Sequence, residues 1–244
     1  MTRFTDQQAV TVDGQNITVK TRPGLDLPAV AALPGLIQDA KAHLTRADLL
    51  LAAEDFTLDM LSFARRYFLT GKSGPDKKEL RQMRYVVSAT RAGLSGDMTL
   101  KIGENVGRGD KDVHGSVAVT EGTHGTKPYH TVGTELSTSR FNFGGPVNEV
   151  RGAMKLSNTT LIGPIGLVTL IHEATHKYAG TVDYCYFKND GVQPDGTFTN
   201  RLKALANADS YAWFVVAIGK PEVWQTNSMF SAATKSFDNP LYIG

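Results

Sequence analysis

Two histidines four residues apart, His172 and His176, bracket Glu173 in the string His172-Glu173-Ala174-Thr175-His176. The string follows directly on the apolar run Leu167-Val168-Thr169-Leu170-Ile171. Residues four apart stand one above the other on a helix, so both imidazoles can hold one metal ion while the neighbouring Glu works on a water. A catalytic zinc takes three protein ligands and keeps one position open. Asp183 is the best third ligand: it lies past a break expected at Gly180, where the chain can reverse and return a carboxylate to the histidines. Asp209, Asp190, Asp195 and His130 are its rivals. Glu173 is expected not to ligate but to accept the water's proton and pass it to the leaving amine.

The continuation makes the pattern more specific. The segment His172-Glu-Ala-Thr-His-Lys-Tyr-Ala-Gly-Thr-Val-Asp-Tyr-Cys-Tyr186 resembles the signature of the aspzincin metallopeptidases, the deuterolysin and peptidyl-lysine metalloendopeptidase group. There the His-Glu-x-x-His helix is followed by Gly-Thr-x-Asp-x-x-Tyr, and Gly180, Thr181, Asp183 and Tyr186 fall on those positions. Asn207-Ala-Asp-Ser-Tyr-Ala-Trp-Phe214 resembles the group's second block, Asn-Ala-Asp-x-Tyr followed by an aromatic. The resemblance covers about residues 50 to 220.

That resemblance implies an α+β, zincin-like fold and one Zn2+ per chain on His172, His176 and Asp183. It makes Glu173 the general base and Tyr186 the donor to the oxyanion of a tetrahedral intermediate. Asn207 and Asp209 would brace the site or, with Tyr211, line the substrate pocket. The lysine-specific members read a substrate ammonium with an acidic pair, the Asp matching Asp209 and a Glu three residues on. This chain has Ala212 at the second position, which argues against strict lysine specificity. Phe187 stands where the group usually has Gly, and the disulfides and export signal of its secreted fungal members are missing.

The implied activity is zinc-dependent endopeptidase hydrolysis of a protein or peptide substrate without a covalent intermediate. A metal-binding protein of the same fold without turnover and a zinc amidase acting on cell-wall peptide are the alternatives. The departures point to a bacterial member in the cytoplasm, or one exported by a signal-peptide-independent route as an effector or toxin domain. An inhibitor or immunity protein is then an expected partner.

The elements that must position these residues follow from hydrophobic period. Residues 1–27 read as an extended lead-in, with a hairpin at Val10–Val19 turning on Asp13-Gly14. Residues 28–244 read as one catalytic domain, mainly helical to residue 92. Leu33, Leu36, Ile37, Ala40 and Leu44 open a helical stretch reaching about Leu69, and another helix runs from Lys77 to about Ala92. Strands are expected at Met98–Ile102, Gly115–Thr120, Tyr129–Leu136 and Val150–Leu156. The motif helix spans about Ile165–Tyr178, a polar loop Lys188–Thr199, and a last helix Leu202–Ile218. A substrate adding a strand would use Val132–Phe143 or Val150–Leu156 as its edge.

Composition narrows the alternatives. The chain has 244 residues, 41% hydrophobic and 20% charged, with a net charge of +2 and scattered basic residues. No basic stripe suits nucleic acid, and no apolar run is long enough for membrane insertion. Cys185 is the only cysteine and reads as a packing residue. Gly71-Lys72-Ser73 lacks the upstream glycine and buried strand of a phosphate loop, so it reads as a surface turn.

Overall fold

The alternation in Gln15-Asn-Ile-Thr-Val-Lys-Thr21 puts Ile17 and Val19 on one face, as a half-buried strand requires. In a computed structural model, which describes residues 4–23, 27–54, 56–104, 115–119, 151–187, 191 and 201–219, this alternation becomes a central strand. Strand β1 (Asp6–Val12) pairs antiparallel with β2 (Gln15–Thr21) across the Asp13-Gly14 turn. β2 then pairs in parallel with β3 (Met98–Gly103), and β3 in parallel with β5 (Arg151–Ser157). β4 (Gly115–Val119) closes the order β1-β2-β3-β5-β4, antiparallel to β5.

The hairpin therefore reaches beyond residues 10–19 and belongs to the sheet instead of preceding it. Ile17 and Val19 join Leu100, Ile102, Met154 and Leu156 on a fully buried face, because parallel pairing needs cover from helices. The strand expected at 129–136 lies outside the described residues.

The helices are α1 (Pro28–Ala53), α2 (Leu58–Phe68), α3 (Lys77–Ser95), α4 (Asn158–Leu161), α5 (Gly166–Ala179), α6 (Arg201–Ala206) and α7 (Ala208–Gly219). The single stretch expected to Leu69 divides near Thr57, whose hydroxyl accepts from the Met60 N–H and starts α2 afresh. α3 opens on a reciprocal cap in which Asp76 accepts from the Lys78 and Glu79 amides and Glu79 accepts from the Asp76 amide. Between α2 and α3, Gly71 and Gly74 bridge and leave Lys72 and Ser73 exposed, a surface turn as expected.

α5 runs through the middle, against α1, α3 and α7 on the helical side and β4 and β5 on the sheet side. One apolar cluster extends from Val12 to Ile218 and includes Leu170, Ile171 and Ala174 of this helix. Among the described residues, no helix is long and apolar enough to cross a membrane.

Candidate metal centre

The motif helix is fixed by what it buries. Leu170, Ile171 and Ala174 are fully buried, which turns His172, Glu173 and His176 toward the β4 side and the following loop. Gly180 ends the helix in the left-handed region (φ 75°), with its N–H on the His176 carbonyl at 3.2 Å. Beyond that reversal, Val182 is bonded on both sides: its N–H donates to Ala206 O, and its carbonyl accepts from Ala208 N–H, each at 2.9 Å. This short parallel bridge interrupts the helix expected over 202–218 at Asn207, dividing it into α6 and α7. It also brings Asp183 back over the histidines.

His172 Nε2 and His176 Nε2 lie 3.0 Å apart, and Asp183 Oδ1 is 3.1 Å from each. Zinc ligand atoms at bond lengths of about 2.0–2.1 Å stand roughly 3.3–3.4 Å apart in a tetrahedron, so this triangle fits one small cation. The far ring nitrogens agree. His176 Nδ1 sits 2.7 Å from the Thr181 carbonyl, which only accepts, so Nδ1 carries the proton and the Nε2 lone pair points into the triangle. His172 Nδ1 meets Asp209 Oδ1 at 3.0 Å, with the same consequence. Two imidazole lone pairs and a carboxylate oxygen converging on one point suit a divalent metal. Among the described residues, this is the group of His, Cys, Asp and Glu side chains placed to hold one.

Electrostatics reflect the crowding. Burial disfavours an imidazolium at His172, but Asp183, Asp209 and Glu173 outweigh it and hold its pKa well above 6.5. Burial alone would raise the pKa of Asp183; the two histidines instead hold its carboxyl well below the usual carboxylate range. Glu173 is pushed up, mainly by burial and partly by Asp183, against the pull of the histidines. Its Oε1 is 3.9 Å from His172 Nε2, and its buried Oε2 has no hydrogen-bond partner among the described residues, as suits a general base. Space for this carboxylate comes from Gly115 on β4, where a Cβ would lie 2.6 Å from both Glu173 Cγ and Oε1.

Tyr186, half-exposed, stacks its ring on His172 with centroids 5.8 Å apart and planes at 15°. Burial and then the neighbouring Asp183 carboxylate, to which the phenol hydrogen-bonds, keep its hydroxyl protonated far above 10. Phe187, in place of the expected Gly, is buried and meets Tyr67 edge-on at 5.0 Å. Cys185 is buried, its thiol 3.7 Å from the Tyr186 carbonyl, as suits a packing residue.

The residues expected to brace the site or line its pocket have the following surroundings. Asn207 is fully buried: its Oδ1 accepts from Tyr184 N–H (2.8 Å) and Cys185 N–H (3.1 Å), and its Nδ2 donates to Cys185 O (2.9 Å). Asp209 accepts from Phe187 N–H on Oδ2 while Oδ1 holds His172. Both side chains hold the loop that follows Gly180. Tyr211 is fully buried with its hydroxyl on the Leu205 carbonyl at 2.7 Å, on the core side of α7. Of the rival ligands, Asp209 is spent on His172 Nδ1, and Asp190, Asp195 and His130 lie outside the described residues. Gly115 and the Thr181 carbonyl escape sequence reasoning, because a chain-distant strand and a backbone oxygen leave no local signal.

An α+β architecture with N-terminal helices, a small mixed sheet and a His-Glu-x-x-His helix completed by an Asp is a zincin-like fold carrying a triad able to hold a metal ion. No protein-family model, curated protein or solved structure matches the chain.

Proposed function

We propose that this protein is a zinc-dependent metalloendopeptidase of aspzincin type. The observation that carries the proposal is the convergence of both Nε2 lone pairs and Asp183 Oδ1 beside a buried Glu173 oxygen that has no partner among the described residues. His172, His176 and Asp183 would hold the metal. Zinc bound there would supply Lewis acidity toward a peptide carbonyl and lower the pKa of a water. Glu173, its carboxyl pKa raised through burial, would accept the proton of the attacking water and return it to the leaving amine. Tyr186, a phenol that stays protonated, donates to the oxyanion.

β4 suits the role of substrate edge. It is one of the two edge strands of the sheet among the described residues, and the one whose Gly115 lies against Glu173. β5, which takes in 151–156 of the other candidate edge, is interior between β3 and β4, and 132–143 lies outside the described residues. A peptide added beside β4 would pass its backbone across the base.

Metal content and one conservative substitution test this reading. The parent chain is expected to bind one zinc, and Glu173→Gln is expected to keep it while losing nearly all peptide hydrolysis. Zinc is expected to fall sharply in His172→Ala and Asp183→Asn. Peptide cleavage by Glu173→Gln at the parent rate would sink the mechanism, and full zinc retention in Asp183→Asn would remove Asp183 from the ligand set.

A further inference from the structure

We propose that Asp209 is a positioning residue, coupling the ligand His172 to the loop that carries Asp183 and Tyr186, and that it does not read a cationic substrate side chain. The inference rests on the metallopeptidase reading of the site. It follows from how both carboxylate oxygens are used. Oδ1 faces His172 Nδ1 at 3.0 Å and Oδ2 accepts from the Phe187 N–H, one residue past Tyr186. The side chain is 8% exposed, so a substrate ammonium would have to displace one of two protein donors from a buried anion. The position three residues on, where a second acid would share that cation, is Ala212, fully buried one helical turn away.

The place in the chain explains the double contact. Asp209 stands in the first turn of α7, where backbone N–H groups favour a carboxylate. Asn207, two residues before it, already grips the same loop at Tyr184 and Cys185. Asp209 extends that grip to Phe187 and adds a link to α5, so His172 on the helix and the loop that carries Asp183 share one anchor. It also selects the His172 tautomer: with the proton held on Nδ1, Nε2 faces His176 and Asp183.

Asp209→Asn isolates this role. The amide keeps the shape but offers one acceptor oxygen, while His172 Nδ1–H and Phe187 N–H each demand one. The full-length chain would be titrated with zinc against a chromophoric chelator, and its cobalt form followed by visible absorption. Asp209→Asn is expected to weaken zinc binding about 10- to 100-fold and to shift the cobalt spectrum. Cleavage of matched peptides carrying lysine or glutamine beside the scissile bond is expected to fall by the same factor for both. Unchanged zinc affinity with an unchanged cobalt spectrum would overturn the proposal, as would a loss confined to the lysine peptide.

One measurement needs no variant. In the zinc-loaded parent, proton–nitrogen NMR is expected to show His172 protonated at Nδ1; a proton on Nε2 overturns the proposal. A parent that binds no zinc would defeat the metallopeptidase reading itself, an outcome distinct from an Asp209→Asn chain that binds zinc like the parent.

Discussion

On the helix side of the metal centre, His172, Glu173 and His176 ride on α5, whose Leu170, Ile171 and Ala174 are sealed between the sheet and three helices. On the loop side, Asp183 and Tyr186 stand half-exposed on a turn whose buried apolar anchors are Cys185 and Phe187. The first side is held by packing, at about 1.5–3 kcal/mol for each large buried aliphatic side chain. The second is held by hydrogen bonds to the α6–α7 junction, each contributing about 0.5–1.5 kcal/mol net. Packing is shared with the whole core, so the helix side can shift only if the core yields. Hydrogen bonds from one junction are local, so the loop side can be loosened while the fold stands. The site thus joins a fixed pair of ligands to a third that depends on a few polar contacts.

The largest expected effect lies on the packed side. Leu170→Ala should cost about 2–5 kcal/mol by leaving a cavity in the core. Denaturant unfolding of the metal-free chain should show this as a lower midpoint, with zinc affinity of the folded fraction near the parent value. Zinc affinity collapsing in well-folded Leu170→Ala would erase the distinction between the two sides. The loop side should answer the other way. Asn207→Ala strips two loop amides and the Cys185 carbonyl of partners, for about 2–3 kcal/mol. Its signature should be weaker zinc binding in a chain still folded at ambient temperature; parental zinc affinity would show that the loop is held elsewhere.

The same contrast explains what the sequence disclosed. The helix side was legible because its information is local: a four-residue spacing, an apolar stripe and a glycine where the helix stops. Asp183 followed from the reversal at Gly180. Asn207 looked like a residue inside one apolar helix, and only the bridge to Val182, a contact distant along the chain, breaks that helix there. Tyr211 shares a motif with Asp209 yet lies on the core side of α7, a distinction that depends on which neighbours cover the helix. Gly115 was unreadable for the same reason, since its value is the room it leaves for a carboxylate on another element. The lead-in strands were partly visible from the Asp13-Gly14 turn, but their parallel partner β3 was not.

The smallest effect concerns the hinge between the two sides, where Thr175 Oγ1 and Thr181 Oγ1 meet at 2.7 Å in a fully buried pair. Thr175 has one hydroxyl proton and gives it to the His172 carbonyl at 2.8 Å, so the Thr181 hydroxyl must be the donor between the two. That order makes the two conservative substitutions unequal. Thr181→Val removes a donor and leaves Thr175 with its own bond to His172 intact, which should cost about 0.5–1.5 kcal/mol. Thr175→Val removes the acceptor and leaves the buried Thr181 hydroxyl proton without one, its oxygen keeping only the 3.4 Å contact with His176 Nδ1, at about 1–3 kcal/mol. In the double variant no orphaned hydroxyl remains, so its loss should fall below the sum of the singles, and a double-mutant cycle in denaturant reads the difference. Equal single costs with additive behaviour would mean that the hydroxyls do not form this relay, and that Gly180 and the backbone alone set the angle at which the loop leaves the helix.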